Sequence, residues 1–150
     1  RRWHIAPVEY YEKMKELKVG DYQSAPVMVD EATSVYDAIV SMFVNDVGTI
    51  FVVNDAQELE GISSRKDMLK IAIGKADINQ LPVGVIMTRM PNIVVAYEEE
   101  SLWDVAKRMI EHQIDGMPVV QKGKNGRLKV VGRVTKTNIT KAFVHLGADE

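Results

Sequence analysis

The 150-residue chain has no cysteine. Disulfides and thiolate metal sites are therefore excluded, and the composition suits a cytosolic setting. Its three histidines, His4, His112 and His145, share no metal-ligand spacing, so no metal site is expected. No apolar run approaches the length needed to span a bilayer, and there is no signal-peptide pattern. A cytoplasmic protein without a membrane partner is expected. The chain lacks a Walker A loop and a G-x-G-x-x-G turn. Lys122-Gly123-Lys124-Asn125-Gly126 is a basic hairpin turn, because no helix opens after it. Glu98-Glu99-Glu100 precedes a helix start, where negative charge is favoured, and reads as a solvated loop. No nucleophile–base constellation is present, so no catalytic residue is named and an enzyme is not expected. The net charge of −2 provides no basic field for nucleic acid. The first residue is Arg1, not Met, and the chain reads as an excised fragment or a processed product.

What the chain does contain is one seven-residue stretch and its echo. Gly61-Ile62-Ser63-Ser64-Arg65-Lys66-Asp67 returns as Gly132-Arg133-Val134-Thr135-Lys136-Thr137-Asn138. Each has a glycine, a hydroxyl three residues on, and a carboxylate or amide three further. Each follows an apolar run and precedes a helical pattern. A hydroxyl at a strand-to-helix turn lies beside free backbone N–H groups and the positive end of a helix dipole, which favours an anion. A carboxylate one turn along can accept two hydrogen bonds from a sugar diol. Together they suggest a nucleotide. Ser64-x-x-Asp67 is equally a capping box, a far commoner device than a nucleotide site. The repeat around it shifts the balance.

Taken in order, the chain predicts a helix over about 7–17 after Pro7, with Trp3, Ile5, Val8, Tyr11, Met14 and Leu17 near helical spacing. It either packs on the domain it precedes or connects to something before it. A β-α-β-β-α cycle follows. Val27–Val29 is a strand, Ser34 with Asp37 opens a helix, Ile50–Val53 is a buried strand, Leu59–Ser63 is its hairpin partner, and Arg65–Ile73 closes the cycle. The polar segment ending at Pro82 is a linker. The second cycle places a strand at Ile93–Val95, a helix opened by Ser101 with Asp104, a strand at Met117–Val120, its partner at Leu128–Val134, and a helix from Lys136 to Leu146. Ser34 and Ser101, Asp37 and Asp104, and Met42 and Met109 are offset by 67; after the hairpin the offset becomes 71. The extra residues fall at a surface turn, where insertions are tolerated. Each copy is too small to bury a good core alone, so the two should pack together.

A repeated β-α-β-β-α unit with a Gly-x-x-(Ser/Thr)-x-x-Asp turn and a strand such as Asp115-Gly116-Met117-Pro118-Val119-Val120 resembles a tandem CBS-domain pair, or Bateman module. The implied fold is α+β, two CBS repeats packed as a pseudo-two-fold pair behind a short N-terminal helix. The boundaries read as 1–18 for the leading helix, 19–74 for the first repeat, 75–82 for the linker and 83–150 for the second repeat. A narrower resemblance is to the regulatory half of CcpN-type catabolite repressors, carried by Thr33–Ile39, Val47–Val53, Ser64–Lys70, Val85–Ile93 and Gly132–Asn138. Those proteins carry an N-terminal helix-turn-helix domain and repress gluconeogenic genes. The resemblance implies that this domain has been cut away or that the chain is a relative without it, and DNA contact would run only through such a domain.

In CBS pairs the ligand lies between the repeats. The resemblance implies one site using Ser64 and Asp67 with Ile93, Ile114, Asp115, Met117 and Pro118. It implies a second using Thr135 and Asn138 with Val27, Val47, Gly48 and Ile50, and Ile62 and Arg133 stand at the start of each turn. Ser64 and Thr135 would touch phosphate or ribose and Asp67 the ribose hydroxyls, while the apolar residues hold adenine. Phosphates need cations, for which Arg65, Arg89 and Arg133 are the candidates, an arginine fork matching phosphate oxygens. Asn138, where the family has Asp, loses the charge-assisted bonds, so the second site is expected to be weaker or differently selective. The ligand would be ADP, ATP, AMP or a diadenosine polyphosphate. A homodimer is expected, since Val35, Ile39, Met42, Val105, Met109, Ala142 and Phe143 give the helices more apolar face than a small pair can bury. A stand-alone energy sensor regulating an enzyme or transporter, or a purely structural dimerisation module, is the alternative.

Overall fold

The structure is a computed structural model. It describes residues 7–148, so the expectations placed on Trp3, His4 and Ile5 lie outside the described residues. The chain forms two compact units, one comprising 1–25, 95–121 and 131–150 and the other 26–94 and 122–130. The first is called unit 1 below and the second unit 2.

Unit 2 holds a four-stranded sheet in the order β1 (Met28–Val29), β2 (Thr49–Val53), β3 (Leu59–Ser64), β4 (Thr88–Arg89). β1 runs parallel to β2, while the β2–β3 and β3–β4 pairs are antiparallel. Helices α3 (Val35–Asn45), α4 (Arg65–Ile73) and α5 (Val83–Ile86) belong to the same unit. Ser34 opens α3 by accepting from the Asp37 N–H at 3.0 Å, and left-handed Asp46 ends it. Burial of Val35, Ala38 and Met42 from α3 against Ile50, Val52 and Met68 builds the core, to which α5 adds Val83 and the residue beyond it Met87. Each such Val, Ile or Met side chain contributes about 1.5–3 kcal/mol when fully buried.

Unit 1 repeats the plan. Its three-stranded sheet has the order β5 (Ala96–Tyr97), β6 (Gly116–Lys122), β7 (Leu128–Thr135), with the strand ends at Lys122 and 128–130 counted in unit 2. Its helices are α1 (Pro7–Glu16), α2 (Val19–Tyr22), α6 (Leu102–His112) and α7 (Lys136–Ala148). Ser101 caps α6 through the Asp104 N–H at 3.1 Å, and left-handed Gln113 ends it. The strand expected at Ile93–Val95 lies instead at Ala96–Tyr97. Pairing with β6 decides this, setting Ala96 beside Val119 and Tyr97 beside Val120.

The leading helix α1 packs on α6 and α7. Met14 is fully buried, the Tyr11 ring meets Trp103 edge-on at 4.9 Å, and Tyr10 lies 5.5 Å from Phe143. Trp103 is thus a packing residue.

The sequence reading missed the short helices α2 and α5, which play equivalent parts. In unit 2 the Val83 and Gly84 N–H groups donate to Thr33 and Glu31 carbonyls at 2.7 and 3.0 Å. In unit 1 Val19 and Gly20 donate to Glu100 and Glu98 at 3.0 and 2.9 Å. So the segment preceding repeat 1 is built into the unit of repeat 2, and the segment preceding repeat 2 into the unit of repeat 1. The glycine of each turn explains the fit. Met87 lies on Gly61 and Gln23 on Gly132, each where a Cβ would stand.

Candidate functional site

The first turn lies wholly in unit 2. β3 delivers Ser64 in an extended conformation, and its Oγ accepts from the Asp67 N–H at 3.1 Å. The Arg65 N–H donates to the Gly48 carbonyl at 2.9 Å, which pins the start of α4 to the start of β2. Half of the expected capping box is therefore present: Ser64 accepts from the backbone, but the Asp67 carboxylate does not reach back to the Ser64 N–H. Capping uses the backbone of Asp67 and leaves its exposed carboxylate with no partner among the described residues. Arg65 and Lys66 are exposed beside it. Of the apolar candidates, Val47, Ile50 and Ile93 are buried and Val27 and Ile62 half-buried. Ser63, one residue earlier, is buried, and its hydroxyl has no partner among the described residues.

The second turn, in unit 1, is closed on itself. The Thr135 N–H donates to Asn138 Oδ1 at 2.7 Å and the Thr135 hydroxyl to the same oxygen at 3.1 Å. Asn138 Nδ2 donates to Ser24 Oγ at 3.1 Å, and Asn138 is only 8% exposed. Lys136 repeats the Arg65 bond by donating its N–H to the Asp115 carbonyl at 2.9 Å, and its ammonium pairs with the Asp115 carboxylate at 3.0 Å. Met117 and Pro118 are buried and Ile114 half-buried.

The arginine candidates are not equally available. Arg89 donates to Glu31 Oε1 at 3.0 Å and to the Gly84 carbonyl at 2.9 Å. That guanidinium, with a hydrogen bond from Glu60, lowers the Glu31 carboxyl below its ordinary pKa. Glu60 shifts the other way, raised by burial and by its bond to Glu31. Arg133 Nε donates to the Ala25 carbonyl at 2.9 Å. Among the described residues Arg65 has no such tie, and it is the freest of the three. Among the described residues no group of His, Asp and Glu is arranged to hold a metal ion.

The CBS-domain model matches residues 19–74 and 77–145. The chain belongs to the CBS-domain family. As a CBS pair it is 50% identical, over 93% of its length, to the transcriptional repressor CcpN of Bacillus subtilis strain 168, and it spans 65% of that protein. It is 29% identical to the CBS domain pair of protein MJ0100, solved in complex with 5′-methylthioadenosine and S-adenosyl-L-methionine, with a TM-score of 0.72 over 85% of this chain and 96% of that one. It is 27% identical to CBSX2, solved in complex with AMP, with a TM-score of 0.72 over 87% of this chain and 98% of that one. No helix among the described residues is long and apolar enough to cross a membrane.

Around the second turn the sequence reading missed Ser24 and the α2 segment that carries it. A signal existed. Lys18-Val19-Gly20 and Pro82-Val83-Gly84 are a repeated Val-Gly pair at an offset of 64.

Proposed function

We propose that this CBS pair is an adenine-nucleotide-sensing regulatory module, the effector part of a helix-turn-helix repressor of carbon metabolism. The observation that carries the reading is the Asp67 carboxylate, without a partner among the described residues, beside Ser64 and Arg65 in a chain half identical to a repressor. A free carboxylate can accept both hydroxyls of a ribose, and the exposed Arg65 suits a phosphate. AMP and S-adenosyl-L-methionine in the related CBS pairs support an adenosine-bearing ligand here. Such a repressor acts in the cytoplasm.

Control would run by population shift. A nucleotide moves the balance only by its differential affinity for two arrangements, so nucleotides of different phosphate number can act oppositely. Helix α1, packed through Tyr10 and Tyr11 on α7 and α6, is the natural lever toward a preceding DNA-binding domain. Val35, Met42, Val105, Met109 and Ala142, expected on a dimer face, are instead buried, and a homodimer through the helices fits the exposed Phe43 and Ile110, which occupy equivalent positions of α3 and α6.

The test is operator affinity of the full-length protein without nucleotide, with ADP and with ATP. Affinities that differ among the three are expected; three identical values reject nucleotide control.

A further inference from the structure

A cavity of about 520 Å³ opens inside unit 1 between α2 and α7, within the usual size range of small-molecule sites. Tyr22, Ser24, Asn138, Lys141 and His145 line it, with Asp21 the one carboxylate. Asn138, Lys141 and His145 follow one another along α7, so one helix face presents an amide, an ammonium and an imidazole in succession. The Tyr22 and His145 rings stand 6.2 Å apart.

On the α7 side the hydrogen-bonding capacity left over is mostly donor, while the α2 side brings the Asp21 carboxylate and Gln23, whose buried Oε1 has no partner among the described residues. Asn138 Oδ1 is consumed by Thr135, and one Nδ2 hydrogen goes to Ser24 Oγ. That leaves the second amide hydrogen and the Ser24 hydroxyl proton. Lys141 has no ion-pair partner among the described residues, so three ammonium hydrogens are added. Donors gathered on the α7 face, with an ammonium that has no ion-pair partner among the described residues, favour an anion rich in acceptor oxygens even with Asp21 in the lining.

We propose that the α2–α7 pocket binds a phosphate group, with Lys141 as its principal ligand and His145, Ser24 and Asn138 as further donors. The group could be the tail of the proposed nucleotide or a free phosphate. Only the first source rests on the nucleotide reading. In either case Lys141 takes the phosphate-reading part that Arg89 and Arg133, both tied to groups of the protein, are poorly placed to fill. Asp21 opposes the anion and limits its affinity.

Calorimetry with pyrophosphate, ADP and adenosine on the full chain tests this, using Lys141→Gln and Asp21→Asn. Lys141→Gln should weaken pyrophosphate and ADP about tenfold, the loss of one charge-assisted bond partly screened by water, and leave adenosine unchanged. Asp21→Asn should tighten both anions severalfold, a gain that misfolding cannot imitate. A Lys141 effect on ADP alone assigns the pocket to the nucleotide tail, and one on pyrophosphate alone assigns it to free phosphate. If adenosine and ADP fail to bind while pyrophosphate binds through Lys141, the nucleotide reading falls and the pocket stands. Anion affinities unchanged in both variants, or no binding of either anion to the wild type, overturn the proposal.

Discussion

Two turns at equivalent places in the two units share a hydroxyl, a helix start and a backbone bond to the head of a neighbouring strand, yet they are finished differently. In unit 2 Ser64 caps α4 and Asp67 is left facing water. In unit 1 Asn138 turns back onto Thr135, reaches Ser24, and is buried by doing so. The same contrast recurs in the loop before the first helix of each repeat. In unit 2 Asp30 accepts from the Ala32 and Thr33 N–H groups at 2.9 and 3.0 Å. In unit 1 the acceptor is Glu100, which takes the Tyr97 N–H at 2.9 Å and grips Arg108 at 2.6 and 2.9 Å. At these two places unit 1 sets polar side chains against one another, whereas at the first turn unit 2 leaves the Asp67 carboxylate exposed. A carboxylate free to bind is one that the fold does not itself employ. Recognition is therefore expected to concentrate on the Asp67 turn, and the Asn138 turn to serve stability first.

The sharpest way to break this comparison is to truncate both side chains. Asp67→Ala should weaken nucleotide binding by one or two charge-assisted bonds, roughly 1.5–3 kcal/mol each, with little change in melting temperature, because the cap uses only its N–H. Asn138→Ala should do the reverse, costing about 1–2 kcal/mol of stability through the lost cap and the Ser24 bond and changing nucleotide affinity less. Calorimetry and denaturant melts on both variants decide it. Equal losses of affinity would show that the two turns do the same work.

Next in size is the Glu100–Arg108 ion pair, at positions where unit 2 has Thr33 and Ser41. Arg108 donates to both Glu100 oxygens and to the Val95 carbonyl at 2.8 Å, largely out of water. Arg108→Ala should cost about 2 kcal/mol in urea unfolding, in the range for charged hydrogen bonds. The bond from Arg108 holds the Glu100 carboxyl below its ordinary value. A carboxylate with a depressed folded pKa lends stability above its unfolded pKa, and that stability is lost as pH falls through the folded value. The wild type should therefore lose stability on acidification below the ordinary carboxylate range. The variant should lose less over the same interval, and parallel curves would contradict the assignment.

The smallest effect concerns one core position. Ser63 in unit 2 corresponds to fully buried Val134 in unit 1, and its hydroxyl is buried without a partner among the described residues. Removing an unsatisfied hydroxyl relieves part of its desolvation cost, so Ser63→Ala should raise stability by about 1 kcal/mol. A destabilised variant would show that the hydroxyl has work in unit 2 that Val134 does not share.

The caps, the periodic helix faces and the repeat were legible because they are local or self-similar. Ser34, Ser64 and Ser101 each bond a backbone N–H three residues on, a distance any reading of spacing can span. The strand misplaced at Ile93–Val95 was a case of trusting an apolar run over the repeat. The 67-residue offset maps Val29, paired with Val52, onto Ala96, paired with Val119. Of the site, the turns and their candidate residues could be named from the chain alone.

Which candidates remain free to bind was decided only in three dimensions. Residue type told that Asn138 carries no charge, but not that Ser24, 114 residues away, would hold its amide. That contact exists because Ser24 and Arg133 exchange backbone hydrogen bonds at 2.8 and 2.9 Å, a long-range pairing with no local signature. Arg89 is tied to Glu31 from 58 residues away for the same reason. Local hydrogen bonds cost little chain entropy to close and so can be read from spacing. Contacts between distant segments form only when the packing of the whole unit outweighs the entropy of bringing them together, and that sum is not written at either end.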